Sequence, residues 1–276
     1  MTEASEWITV RVFPGSHRDA VPSALFAAGA QGVQELPDSF ITHVHGQLVA
    51  NDVVCAMTTL GADIRVETEP TPNIDWSEQW KQSIGVQRLG ALTVAPPWLA
   101  ADLDPKSSIV IDPGMAFGTG EHATTRGVIR LLQRVVRQGD VVADLGAGSA
   151  VLAIAAARLG ATRVAAIEVD PDAIGNAMEN VARNGVEDRV TVIEGDASSL
   201  LPLIAPVNVI TANIISSALL ELLPAMRGAL ARDGHAILSG ILSSERDTML
   251  ATMASAWRLV DEDSEDTWWS ATIAPR

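Results

Sequence analysis

The sequence predicts an α/β protein in two parts: a mostly parallel sheet with helices on both faces, preceded by a smaller α+β domain of ferredoxin-like layout. Three observations predict it. From about residue 86 onward, apolar strand-like runs alternate with helical ones, the pattern of a parallel sheet covered on both faces. The first 67 residues instead read strand-helix-strand-strand-helix-strand, a split βαβ order. The length of 276 residues is closer to two domains of roughly 150 residues than to one.

Taken in order, residues 7–12 (WITVRV) form the first expected strand, and residues 19–28 a short helix stopped by Gly29. Strands at 32–36 and 40–44 follow, then a helix over 52–60 stopped by Gly61, and a closing strand at 64–67. Glu69-Pro70-Thr71-Pro72-Asn73 is a stiff polar break, and Asp75 can cap a linker helix over 75–82. The expected division is therefore a first domain at 1–69, a linker at 70–85 and a larger domain at 86–276. Within the last, 141–145 is a buried-type strand and 151–159 an almost wholly apolar helix stopped by Gly160. A strand at 163–169 leads to Asp170 and Pro171, an N-cap and first helical residue, and that helix runs to Arg183. Strands at 190–194 and 207–214, a helix to about 230, a strand at 236–239 and a helix near 244–256 complete the alternation. Two successive strands at 257–260 and 268–273 imply an antiparallel hairpin joined to the sheet.

Composition excludes several function classes. Apolar residues make up 47% and charged residues 19%, enough for a full core and unlike a disordered chain. Nineteen basic residues against 34 acidic ones give a net charge of −15, which repels phosphate backbones and favours basic partners over nucleic acid. The two lysines, Lys81 and Lys106, do not follow a glycine, so the phosphate loop of ATPases and GTPases is absent. The single Cys55 fits a reducing cytoplasm. The start MTEASEW lacks a secretory pattern, and the most apolar stretch, 141–161, is broken by Asp144 and by Gly146 and Gly148 before the helix. A soluble, cytoplasmic, monomeric protein with no membrane or metal partner is expected.

Asp144-Leu145-Gly146-Ala147-Gly148 stands where a strand turns into a helix. Gly146 and Gly148 permit a tight turn and close approach of a ligand. Glu168, 22 residues after Gly146, stands where a carboxylate can accept both ribose hydroxyls, the mark of an adenosine-containing cofactor. The nicotinamide fingerprint wants a further glycine at position 151, which is Val. Asp144 adds negative charge beside the turn, which disfavours a pyrophosphate. That carboxylate suits a cationic ligand with a free amino group, and S-adenosylmethionine carries both a sulfonium and an ammonium. Asp196, after the third strand of the alternation, can accept from an adenine amino group; alone it reads better as a turn residue.

The run Asp112-Pro113-Gly114-Met115-Ala116-Phe117-Gly118-Thr119-Gly120-Glu121-His122-Ala123-Thr124-Thr125 closely resembles the signature of the PrmA-type ribosomal protein methyltransferases, which modify large-subunit ribosomal protein eleven. The resemblance continues through DLGAGSAVLAIAAARLGA, IEVDPDAIGNAMENVARNGV and ANIISSAL, and upstream through DWSEQWKQSIGVQRLGALTVAPPW. It implies a class I S-adenosylmethionine-dependent methyltransferase domain, a Rossmann-like seven-stranded sheet, with an N-terminal domain that recognises the substrate protein. By motif position it assigns Thr125, Gly146, Glu168 and Asn213 to the cofactor. Asn213 also stands where related N-methyltransferases place a polar group beside the target nitrogen. Phe117, Gly118 and Thr119 belong to the loop expected to close over the methionine end, with Phe117 excluding water. The chain departs from the family at Ala150, where a third glycine is usual. It departs again at Asn213-Ile214-Ile215-Ser216-Ser217-Ala218-Leu219, where the family's Asn-Ile-Leu-Ala-x-Pro-Leu has a proline at position 218.

Other residues carry plainer readings. His43 and His45 share a strand face without a third ligand nearby, so a half-buried face is expected rather than a metal site. His122 reads as structural at a helix start, Cys55 as core, and at least one of Trp268 and Trp269 as packing. The acidic run 261–266 reads as a solvated hairpin turn, with attraction of a basic substrate as its other reading. Residues 1–66 hold three arginines against seven acids, a sign that suits docking of a basic ribosomal protein. The resulting expectation is a methyltransferase acting on lysine side chains, and on an α-amine, of large-subunit protein eleven. The alternatives are another protein or small-molecule amine as acceptor, a nicotinamide oxidoreductase, which Val151 and Asp144 disfavour, and a non-catalytic binding protein.

Overall fold

The computed structural model describes residues 7–18, 20–30, 32–71, 84–114, 118 and 120–276. The chain divides into two units, Met1–Ser83 and Ile84–Arg276. The expected linker helix at 75–82 lies outside the described residues.

In the first unit, β1 (Trp7–Phe13), β2 (Val33–Glu35), β3 (Phe40–His45) and β4 (Arg65–Pro70) form an antiparallel sheet in the order β2-β3-β1-β4. Helices α1 (Val21–Ala27) and α2 (Gln47–Leu60) connect them, completing a ferredoxin-like unit. Period-two alternation in β1 and β3 directs Ile8, Val10, Val12, Phe40 and Val44 into one core. The two helices supply Val21, Leu25, Ala50, Val53 and Met57 to the same core. Helix α2 begins five residues before the expected start, directly after Gly46, whose φ is +83°. Cys55 is exposed, which corrects its reading as core. The buried stripe of α2 runs through Ala50, Val53 and Met57, and a residue two positions from Val53 points off that stripe.

The second unit is built on a seven-stranded sheet. Its strands are β8 (Val141–Leu145), β9 (Arg163–Glu168), β10 (Val190–Glu194), β11 (Val207–Asn213), β12 (Leu230–Leu242), β13 (Trp257–Glu265) and β14 (Trp268–Pro275), in the order β10-β9-β8-β11-β12-β14-β13. The first five are parallel, and β14 runs antiparallel to both β12 and β13. Neighbouring residues such as Val142 and Ala143, or Ile237 and Leu238, enter different cores on opposite faces. One face is covered by α3 (Ala123–Val135), α4 (Val151–Arg158) and α5 (Pro171–Arg183). The other is covered by α6 (Ala197–Ile204), α7 (Ser216–Ala229) and α8 (Arg246–Met253). A small sheet of β5 (Gln87–Leu89), β6 (Leu92–Ala95) and β7 (Ser108–Val110) adds Leu89, Leu92, Val94 and Ile109 to the first face.

Of the acidic run 261–266 that reads as a solvated hairpin turn, residues 261–265 lie instead within β13, and Asp266 alone stands in the turn, with a φ of +55°. Arg126 pairs with Glu265, Arg130 with Asp263 and Glu265, and Arg134 with Asp261. The spacing explains the match: four helical residues rise about 6 Å and two strand residues about 6.7 Å. A row at i, i+4 and i+8 on α3 therefore meets alternate residues of β13. These acids are engaged by the protein's own guanidinium groups and are not a free patch for a basic partner.

Candidate active site

The strands β8, β9 and β10 proceed outward in one direction from the sheet centre, and β11 and β12 in the other. The switch falls between β8 and β11, where such sheets leave a crevice at the carboxyl ends of the strands. A cavity of about 530 Å³ opens there, within the size range of small-molecule and cofactor sites. Its wall contains Gly146 and Gly148 after β8, Glu168 at the end of β9, Asn213 at the end of β11 and Gly240 in β12. Gly118, Thr124 and Thr125 close another side.

Gly146 turns the chain with a φ of +71°, and a Cβ there would lie 2.6 Å from Ile214 Cγ2. Only glycine meets both conditions without displacement. The amides of Gly146 and Ala147 both donate to the Ile167 carbonyl, at 2.9 and 3.0 Å, fixing the turn to the neighbouring strand. Ala150, at the third-glycine position, has a φ of +64°, so this alanine takes the left-handed conformation itself.

Glu168 is buried and accepts three backbone amides: Gly148 on Oε2 at 2.8 Å, and Val169 and Asp170 on Oε1 at 2.8 and 2.9 Å. A carboxylate offers about four lone-pair positions. One acceptor position therefore remains, on Oε2, and a second ribose hydroxyl competes with the Gly148 amide. The carboxylate at the cavity wall, the close approach allowed by Gly146 and the cavity volume together fit the adenosine portion of S-adenosylmethionine.

The structure turns Asp144 away from the cavity. Its side chain is fully buried, Oδ1 accepts the Thr211 hydroxyl at 2.6 Å, and Oδ2 accepts the Ala153 amide at 3.1 Å. Burial pushes its carboxyl up to about 6 against those two hydrogen bonds, with the charge of Glu168 adding to the rise. Asp144 thus joins β8 to β11 and α4 beneath the site, which corrects its assignment to a ligand amino group. Asp196 is taken up in capping α6: its carboxylate accepts the Ser199 amide at 3.0 Å and the hydroxyls of Ser198 and Ser199. These bonds, led by the Ser198 hydroxyl, hold its carboxyl below the ordinary range. It does not contribute to the cavity wall. Phe117 and Thr119 lie outside the described residues; Gly118 accepts the Ser149 hydroxyl at its carbonyl, at 2.6 Å, which ties that loop to the glycine turn.

At the end of β11, Asn213 Nδ2 donates to Thr125 Oγ1 at 3.5 Å. His122 both caps α3, accepting the Thr124 amide at 3.4 Å on Nδ1, and forms part of the wall. Its ring meets Trp268 edge-on, with centroids 5.1 Å apart. Burial, then the charge of Arg126, holds its imidazole below the usual histidine range. Trp268 lines the cavity while Trp269 is fully buried. Among the described residues no group of three metal-ligating side chains occurs, and no helix is long and apolar enough to cross a membrane.

Sequence reasoning missed the asparagines that support the site. Asn180 is fully buried; its Oδ1 accepts the Asp112 amide at 2.8 Å, and its Nδ2 donates to the Asp112 and Ser149 carbonyls, both at 3.2 Å. Asn184 makes a two-way pair with the Val110 backbone, at 2.8 and 2.7 Å. Asn180 stands within α5 and Asn184 directly after it, four residues on, so the backbone at 110–112 is stapled to that helix. The signal was three asparagines, Asn176, Asn180 and Asn184, repeating every four residues in a helical pattern.

A profile of the family described as "Ribosomal protein L11 methyltransferase (PrmA)" matches residues 25–275. A ribosomal protein L11 methyltransferase of Symbiobacterium thermophilum is 40% identical over 72% of this chain and 65% of its own length. One of Pelotomaculum thermopropionicum is 38% identical over 80% of this chain and 72% of its own. The crystal structure of a ribosomal protein L11 methylase from Lactobacillus delbrueckii subsp. bulgaricus superposes with a TM-score of 0.62 at 31% identity, covering 69% of this chain and 98% of that one. With a glycine turn, a ribose-type carboxylate and a polar strand end converging on one crevice, this chain belongs to the PrmA family of ribosomal protein L11 methyltransferases, and its larger unit is a class I, S-adenosylmethionine-dependent methyltransferase domain.

Proposed function

We propose that this chain transfers methyl groups to lysine side chains, and to an α-amine, of ribosomal protein L11, with the first unit docking that protein. The observation that carries the reading is the convergence of Gly146, Glu168 and Asn213 on one cavity in a chain of this family. S-adenosylmethionine, when bound, supplies a methyl group that its sulfonium already makes electrophilic. Gly146, Gly148 and Glu168 hold the adenosine end, Thr125 borders the methionine end, and Phe117, Gly118 and Thr119 are assigned to the loop over it.

The chain's own task is to present a neutral amine in line. Deprotonating a lysine of pKa ~10.4 at pH 7 costs about 4.6 kcal/mol, whereas aligning two reactants lowers a barrier by ~7–11 kcal/mol. Orientation outweighs deprotonation, and burial of the amine lowers the deprotonation cost further. Asn213 suits this role: with Nδ2 engaged by Thr125, its Oδ1 is left to accept an N–H of the incoming amine and aim the lone pair. The net charge of −15 favours a basic protein over nucleic acid as partner, and the exposed Cys55 suits a reducing cytoplasm.

The test is incubation of the protein with purified L11 and isotopically labelled donor, followed by mass spectrometry of the intact and digested acceptor. Labelled lysine residues are the expected result. Donor binding without label in L11, but with label in another protein or a small amine, would transfer the reading to that acceptor.

A further inference from the structure

Glu245 lies in the short turn Ser243–Glu245 that follows β12. Its two carboxylate oxygens tie together two segments, each adjoining a residue of the cavity wall. Oε1 accepts the Ser216 hydroxyl at 2.7 Å, and Oε2 accepts the Leu242 amide at 3.0 Å. Ser216 directly follows Ile215, which lines the cavity; Leu242 pairs in register with Trp268, which lines it from another side. Between these ties the two segments touch closely. A Cβ at Gly240, whose φ is +81°, would lie 2.3 Å from the Ile214 carbonyl oxygen.

Asn213 and Ile214 are held by the pairing of Asn213 with Ser239 and by packing of Ile214 on the core, whereas the following two residues, at the start of α7, have fewer ties. Ile215 occupies the N-cap position of α7 and provides no side-chain cap, and Ile215 itself is exposed. The proline that the resembled family carries at position 218, with its fixed φ of about −65°, is Ala218 here. Ser216 donating to a carboxylate supplies a charge-assisted bond at the same helix start, where negative charge is also favoured by the helix dipole. Both bonds, led by that from Ser216, hold the Glu245 carboxyl below its ordinary range, so it stays ionised at neutral pH.

We propose that Glu245, acting through Ser216 and the Leu242 amide, is a positioning residue for methyl transfer: it fixes the segment 213–216 against β12 and so sets the direction in which Asn213 meets the acceptor amine. The inference rests on the methyl-transfer reading above. Ser216 and Glu245 brace this helix start by a tertiary bond, where a proline at 218 would brace it by backbone stiffness. A proline at 218 falls in the first turn, ahead of the Leu219-to-Ile215 bond at 3.1 Å, and is tolerated there.

The experiment compares wild type, Ser216→Ala, Glu245→Ala, the double variant and Ser216→Ala/Ala218→Pro. It measures donor Kd by calorimetry, Tm, kcat and KM for L11, and hydrogen exchange over 213–219. Each single variant is expected to lower kcat about fivefold, with the double variant no worse than Glu245→Ala. Donor Kd should change by less than about twofold. Exchange at 213–219 should quicken, and Ala218→Pro should restore both rate and protection. Wild-type kcat and exchange in the single variants would overturn the proposal, as would an equal loss in donor affinity or a failure of the proline to restore either readout. A wild-type protein that leaves L11 unmodified would defeat the functional reading instead, and the exchange data would still decide whether the tie holds the segment.

Discussion

Asn213 Nδ2 and Thr125 Oγ1 meet at 3.5 Å, joining the end of β11 to the first turn of α3 across the cavity. On the proposed function, the contact leaves Oδ1 of Asn213 for the acceptor amine. Replacement by alanine removes the carbonyl that would receive the amine while leaving Gly146, Glu168 and the adenosine side untouched. Asn213→Ala should keep donor Kd within about threefold and lower kcat by about a hundredfold or more. Calorimetry and single-turnover methylation separate the two quantities, and an unchanged turnover would remove Asn213 from the reaction.

Gly146→Ala should act on the opposite side of the site. The left-handed backbone costs a non-glycine residue roughly 1–2 kcal/mol, and the added Cβ meets Ile214 Cγ2 at 2.6 Å. Donor affinity should fall at least about tenfold and Tm should drop with it. Calorimetry and thermal unfolding check both; retention of full affinity would mean that the turn is not the donor cradle.

The arginine ladder yields a contrast within one helix. Asp263 has a side chain only 13% exposed, whereas Asp261 is 37% exposed. Arg130→Ala leaves the sheltered Asp263 without its guanidinium and should cost about 2–3 kcal/mol. Arg134→Ala, at the wetter end, should cost less than about 1 kcal/mol. Denaturant midpoints of the two variants give the comparison, and equal losses would contradict a graded ladder.

Asp144 gives a pH signature. Its carboxyl sits at about 6 in the folded chain, against about 3.9 when unfolded. Between those values the folded state keeps a proton that the unfolded chain has released, so stability falls as pH rises through this window and the deficit stays constant above it. Compared with Asp144→Asn, the wild type should lose on the order of 2–3 kcal/mol between pH 4 and pH 7. Denaturant titrations of both proteins at the two pH values measure it; parallel pH profiles would show that Asp144 does not titrate there.

The elements most legible in the sequence were those whose signals are local. Gly146, Glu168 and the strand-helix alternation are neighbours in one βαβ unit, and the structure places both residues on the cavity wall. Asp144 was misplaced because its charge was weighed against a ligand, while the group that takes it, Thr211, lies 67 positions away. The acidic stretch 261–265 failed as a turn for the same reason: Arg126, Arg130 and Arg134 convert it into strand from more than a hundred residues upstream. Cys55 shows the converse error, since apolar neighbours in sequence point to different sides of a helix. Helix α6 went unseen because Pro202 interrupts its pattern, and β5 and β7 because three residues carry too short a period to register.

The position of β13 at one margin of the seven-stranded sheet has a bearing on how the protein behaves when crowded. A terminal strand with free amide and carbonyl groups is a template on which another chain can lay down a strand of its own. Here the far half of that strand bears Asp261, Glu262, Asp263 and Glu265, each saturated by an arginine of the same chain. A strand laid along this margin would have to pack beside these fixed ion pairs and strip water from them, which disfavours the pairing. The ion pairs that brace α3 thereby also set fixed charge along the strand most open to pairing with another chain.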